Sequence, residues 1–136
     1  MSTKLNYHKF ENFKLSSGEN VSVSLSYQTF GLQLGKGPLV VVNHSLTGDS
    51  NISGDKGWWS ELIGSKKMID TDKFCVMCIN IPGNIQEKRG FNYGNKWILS
   101  DVAKLFVQLL KNLGVRKVHS LIGGSIGGGL VWEMGL

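Results

Sequence analysis

Apolar and polar residues alternate along "FENFKLSSGENVSVSLSYQTFG", on both sides of the turn-forming "SGEN". Period-two alternation interrupted by such a turn predicts a β-hairpin, with strands over residues 13–16 and 21–30. "PLVVVN", residues 38–43, does not alternate, and a continuous β-branched run suits a strand buried on both faces. The glycine-containing polar stretch "HSLTGDSNISGDKG" predicts a long loop and "WWSELIG" a short helix. "DTDKF" turns the chain into a second buried strand over residues 73–80, and "IPGNIQEKRGFNYGNK" reads as a loop.

Helical spacing takes over in "SDVAKLFVQLLKNLG", where Leu99, Val102, Phe106, Leu109 and Leu113 form one apolar stripe. Ser100 is expected as the N-cap, Asp101 suits the positive helix end, and Gly114 sits where a C-terminal stop belongs. "KVHSLIG" then reads as a strand and "IGGGLVWEMG" as the start of another helix. Strand–helix alternation after the hairpin predicts an α/β fold, a mostly parallel sheet with helices on its faces. At 136 residues the chain has room for one such domain.

Composition narrows the class. Hydrophobic residues make up 41%, ordinary for a folded domain, and no apolar run approaches a membrane span. The opening "MSTKLNYHKF" lacks the apolar core of a secretory signal, so a cytoplasmic address is expected. The net charge of +5 is spread without a basic stripe, which argues against nucleic acid as a partner. Cys75 and Cys78 spell C-x-x-C, but on a strand residues three apart face opposite ways. Two buried thiols are expected there, and no metal site.

The chemistry is concentrated in "LIGGSIGGGL", residues 121–130. A Walker loop needs Gly-Lys-Ser/Thr, and no lysine lies between His119 and Leu136. No register of these glycines satisfies the dinucleotide spacing G-x-G-x-x-G. G-x-S-x-G does fit, as Gly123-Gly124-Ser125-Ile126-Gly127, at the junction of a predicted strand and a predicted helix. In such a nucleophile elbow a strained turn lifts the serine hydroxyl clear of the sheet, and glycines flank it for want of space. The backbone N–H of Ile126 would then be one oxyanion donor, and that of Leu46, in the loop after "PLVVVN", the other. His44 is expected to orient that loop through a hydrogen bond.

"VVNHSLTGDSNISGDKGWWSELIG", "IDTDKFCVMCINIPGN" and "LIGGSIGGGLVWEM" resemble segments of homoserine O-acetyltransferases, which have the α/β-hydrolase fold. The resemblance runs from about Phe10 to the last residue. It implies an acyl-serine intermediate on Ser125, with acetyl-CoA as acyl donor, L-homoserine as acceptor and no bound cofactor. It also implies a contact from Thr47 to the amino-acid substrate, a homodimer for the full-length protein, and a place in methionine biosynthesis. The family carries a longer, glycine-rich segment where this chain has "IPGNIQEKRGFNYGNK".

A serine hydroxyl needs a histidine to take its proton, and an acid to orient that histidine. In this fold they follow the serine in the order Asp, His. No histidine follows Ser125, and Glu133 is the only acid that does; the histidines are His8, His44 and His119. The expectation is therefore that residues 1–136 are the N-terminal portion of a single α/β-hydrolase domain, truncated after the elbow, with the triad Asp and His not in this chain. The alternatives are a non-catalytic fragment or remnant of such an enzyme, or an esterase on the same scaffold. With nothing beyond it, "KVHSLIG" would form an open sheet edge.

Overall fold

The computed structural model describes residues 4–84 and 94–135. Part of the loop expected over residues 81–96 therefore lies outside the described residues. In chain order the strands are β1 (Asn6–Lys14), β2 (Asn20–Gly31), β3 (Leu39–Asn43), β4 (Ile63–Gly64), β5 (Ile69–Asp70), β6 (Cys75–Ile79) and β7 (Ser120–Gly123). Helix α1 (Leu99–Asn112) lies between β6 and β7, and α2 (Ile126–Gly135) follows β7.

Five strands form one sheet in the order β1-β2-β6-β3-β7. The hairpin and the β2–β6 pair are antiparallel, whereas β3 runs parallel to both β6 and β7. The α/β fold read from the sequence is the fold observed. One sheet face carries Leu25, Val41, Cys75, Met77 and Ile79, packed on Val102, Leu105, Phe106 and Leu109 of α1 and Leu130 of α2. The opposite face carries Val40, Val42, Val76 and Cys78, packed on Ile52, Ile63 and Ile69. The two cysteines are thus buried on opposite sides of β6, as strand geometry requires. Burial raises both thiol pKa values, which suits core packing rather than reactivity.

Three local expectations give way. β1 begins at Asn6, not at residue 13, because a bulge between Phe10 and Phe13, with Asn12 at φ 57°, lets residues three apart both pack on the core. That shift breaks the alternation ahead of Phe13, the expected start of the strand. "WWSELIG" is not a helix. It makes single turns, Ser60 N–H to Gly57 O and Leu62 N–H to Trp59 O, before entering the parallel β4–β5 ladder. A segment this short, flanked by Gly57 and Gly64, does not repay helix nucleation, and Ile63 is instead drawn into the core. Helices therefore cover one sheet face, and a long loop covers the other.

Ser100 is not the N-cap of α1; Ile98 is, without a side-chain cap of its own. The acceptor is the buried Asp101, whose carboxylate takes the Ile98 N–H at 3.2 Å. It also takes the Ser16 N–H at 2.9 Å and the Ser16 hydroxyl at 2.6 Å, tying the hairpin to the helix start. Gly114, at φ 80°, ends α1: its N–H reaches Lys111 O while Val115 N–H reaches Leu110 O. This double bond pattern is the Schellman motif.

β7 is an edge strand, starting at Ser120 rather than at residue 117, and its residues are only half-buried. On α2, which follows it, Trp132 is 72% exposed. An open strand edge and a bare apolar side chain each recruit other chains. The 136-residue chain alone is expected to elute above its 15.0 kDa monomer mass in size-exclusion chromatography with light scattering. Trp132→Glu should reduce that association, and a strictly monomeric parent chain would contradict it.

Candidate active site

β3 and β7 are neighbours, parallel and in register, with Asn43 opposite Gly123. Residues 44–47 and 124–126 therefore leave the same end of the sheet side by side, where ligands bind in open α/β folds. β7 ends at Gly123 and α2 begins at Ile126, so Gly124 and Ser125 make the whole reversal. Ser125 takes φ 57°, a left-handed conformation that costs a side-chain-bearing residue about 1–2 kcal/mol. Its side chain is exposed, while its carbonyl accepts from Gly128 N–H at 3.0 Å and so joins the first turn of α2.

Packing around the turn holds that strain. A Cβ on Gly123 would lie 2.3 Å from the Gly127 carbonyl oxygen. One on Gly127 would lie 2.3 Å from Asn43 O and 2.7 Å from His44 O. The crowding inferred for both flanking glycines is present, but Gly127 meets the end of β3 rather than the elbow itself. Helix α2 thus starts pressed against the chain that becomes the 44–50 loop.

In that loop Gly48 N–H donates to Ser45 O at 2.9 Å, leaving Leu46 and Thr47 at the tip of a turn. Leu46 is 70% exposed, and its N–H enters none of the backbone bonds of the described residues. Ile126, as the first residue of α2, has no helical carbonyl behind it, so its N–H is also available. The structure thereby brings Ser125, Ile126, Leu46 and Thr47 to one end of one strand pair.

His44 is fully buried beneath the loop. Its Nδ1 lies 2.6 Å from Ser45 O, and its Nε2 accepts the Ile81 N–H at 2.9 Å. An N–H donor facing Nε2 fixes the Nδ1–H tautomer, and burial lowers the ring's pKa, which keeps it neutral. The ring spans the loops after β3 and β6, the orienting role read from the sequence. Sequence reasoning missed a buried set of polar groups adjoining it: Ser26 and Gln28 of β2, Ser50, Asn80 and the half-buried Asn84. The available signal was Ser26 and Gln28 in a strand that also carries Leu25 and Phe30, polar residues where the sheet interior calls for apolar ones.

The other ionisable candidates lie elsewhere. His119 stands just outside β7, exposed, with Nδ1 2.8 Å from the Ser120 hydroxyl and its ring against Phe74. Six extended residues from Ser125 place it roughly 20 Å along the chain. His8 sits on β1, at the opposite sheet edge from β7, with Nε2 3.1 Å from Asn112 Nδ2. Glu133 is eight residues, about 12 Å of helix, beyond Ser125 and lines a groove with Lys104 and Lys111. None of the described residues pairs a base with the Ser125 hydroxyl.

A family model described as alpha/beta hydrolase fold matches residues 38–136. A homoserine O-acetyltransferase of Methanosalsum zhilinae is 34% identical over 142 residues, covering 90% of this chain and 29% of the relative. That of Corynebacterium diphtheriae is 33% identical over 141 residues, covering 95% of this chain and 37% of the relative. The chain thus spans about a third of the length of these curated relatives. Among solved structures, homoserine O-acetyltransferase from Staphylococcus aureus superposes with a TM-score of 0.82 at 27% identity, covering 98% of this chain and 42% of that one. The enzyme of the same name from Bacillus anthracis gives 0.86 at 24% identity, covering 98% and 43%.

The steric account separates neighbouring glycines. A Cβ on Gly124 meets open space, unlike one on Gly127. Gly127→Ala should lower stability by about 1–3 kcal/mol in urea denaturation, and Gly124→Ala by about 1 kcal/mol at most. Equal effects at the two positions would show that the contact with β3 does not hold the elbow.

Proposed function

The chain belongs to the α/β-hydrolase fold family, and on that premise we propose that it forms the nucleophile-bearing portion of an acetyltransferase acting on L-homoserine. One observation carries the reading: Ser125 sits in a left-handed turn between β7 and α2, beside a loop whose tip offers a second free N–H. The relatives named homoserine O-acetyltransferase support the choice of acyl donor and acceptor.

The reaction runs in two halves. The Ser125 hydroxyl, giving up its proton to a base, attacks the thioester carbonyl of acetyl-CoA, and a C–O bond forms. The N–H groups of Leu46 and Ile126 stabilise the oxyanion, which collapses and expels the CoA thiolate to leave an acetyl-serine. The homoserine hydroxyl, giving its proton to the same base, then attacks this ester through a second tetrahedral intermediate held by the same donors; its collapse breaks the acyl–Oγ bond, returns the proton to Ser125 Oγ and releases O-acetyl-homoserine. Thr47, exposed at the tip of the same turn, contacts the amino-acid substrate. The proton is taken by a histidine that an acid orients, as a serine nucleophile of this kind requires. Both substrates are small molecules, and the enzyme works in the cytoplasm, in methionine biosynthesis, as a homodimer in its full-length form.

Mass spectrometry of the complete enzyme mixed with acetyl-CoA tests the reading. The expected result is one acetyl adduct, absent after Ser125→Ala and discharged faster by L-homoserine than by water. Loss of a triad serine costs on the order of 10⁶ in turnover. An adduct that persists in Ser125→Ala would remove the serine from its role, and discharge by water alone would make the enzyme an esterase.

A further inference from the structure

Asn80, directly after β6, is fully buried and uses its whole hydrogen-bonding capacity. Its Oδ1 accepts the Ser50 N–H at 2.8 Å and an Asn84 Nδ2 proton at 3.0 Å. Its Nδ2 donates to the Ser26 hydroxyl at 2.8 Å and the Ser50 hydroxyl at 2.9 Å. The Ser50 hydroxyl donates in turn to Gln28 Oε1 at 2.6 Å, so the last residue of the 44–50 loop is anchored to β2 and β6 together. Asn84 Nδ2 lies 3.3 Å from His44 Nε2 at the loop's start and 3.5 Å from the Gly48 carbonyl oxygen within it. Asn80 and Asn84 therefore hold a seven-residue loop from beneath, at both ends and at Gly48, directly after the tip residues Leu46 and Thr47.

A buried network satisfied at every member is rigid, and a half-satisfied one is not. An oxyanion donor must also be in place before charge develops, since it contributes only if no reorganisation is needed. We infer that Asn80 and Asn84 are positioning residues that hold the Leu46 N–H in its oxyanion geometry, Asn80 through Ser50 and Asn84 through His44 and the Gly48 carbonyl. The inference rests on the acyl-transfer reading for its consequence in turnover, but not for its consequence in the loop.

Amide hydrogen exchange on Asn80→Ala and on Asn84→Ala, the latter half-buried and the milder lesion, reads the loop directly. Gly48 N–H reports the turn, Ile81 N–H reports the His44 contact, and Val41 and Met77, paired in the sheet, report the core. Gly48 and Ile81 should exchange about tenfold faster in both variants, the effect of one lost hydrogen bond, with Val41 and Met77 unchanged. In the complete enzyme kcat should fall by about 100-fold, as for a misplaced reacting group, with KM for acetyl-CoA within about threefold. Unchanged exchange at Gly48 in Asn84→Ala, or acceleration at Gly48, Val41 and Met77 alike, would overturn the positioning role. A parent enzyme without acetyl transfer whose variants still show the local exchange pattern would overturn the functional reading and leave the positioning role standing.

Discussion

The contact between Gly127 and the carbonyl oxygens of Asn43 and His44 governs this structure's chemistry. No side chain fits there, since even a methyl group would stand 2.3 Å from an oxygen. Because α2 can approach β3 that closely, β7 must turn within two residues, and Ser125 is forced into its left-handed conformation. The same approach sets the first N–H of α2 beside the loop that leaves β3. Strain at Ser125 and the nearness of the first turn of α2 to the loop after β3 thus share one steric cause.

The loop is tied down by a different set of contacts. Its exposed tip has little to pack on, so its geometry is imposed from the buried side. His44, Ser50 and Asn80 are all fully buried, and each has its partners. A neutral imidazole bridging two loops and a four-bonded asparagine bridging two strands fix the turn without occupying the space above it. Asn43 is the exception nearby. Its Nδ2 reaches Met134 Sδ at 3.5 Å, but its buried Oδ1 has no partner among the described residues.

Much of this was legible in the sequence, and what was legible is local. The β-branched run of β3, the apolar stripe of α1 and the Gly114 stop are written in neighbouring residues. So is the elbow, because its spacing records a steric need at fixed offsets from Ser125. What was hidden depends on partners far along the chain. The Phe10–Phe13 bulge broke the period that would have revealed the start of β1. Asp101 displaced Ser100 as the group that organises the helix start, because Ser16, distant in sequence, brings two donors to it. The polar network went unseen because Ser26, Ser50 and Asn80 carry no spacing relative to one another until β2 and β6 pair.

If the Ser125 turn and the 44–50 loop form a prepared oxyanion site, a crystal structure of the enzyme phosphonylated on Ser125 by an alkyl phosphonate ester will show it. The phosphonyl oxygen is expected about 2.7–3.1 Å from the backbone nitrogens of both Leu46 and Ile126, with the loop unmoved. A phosphonyl oxygen turned to solvent, or held by a side chain while the Leu46 N–H points elsewhere, would contradict it.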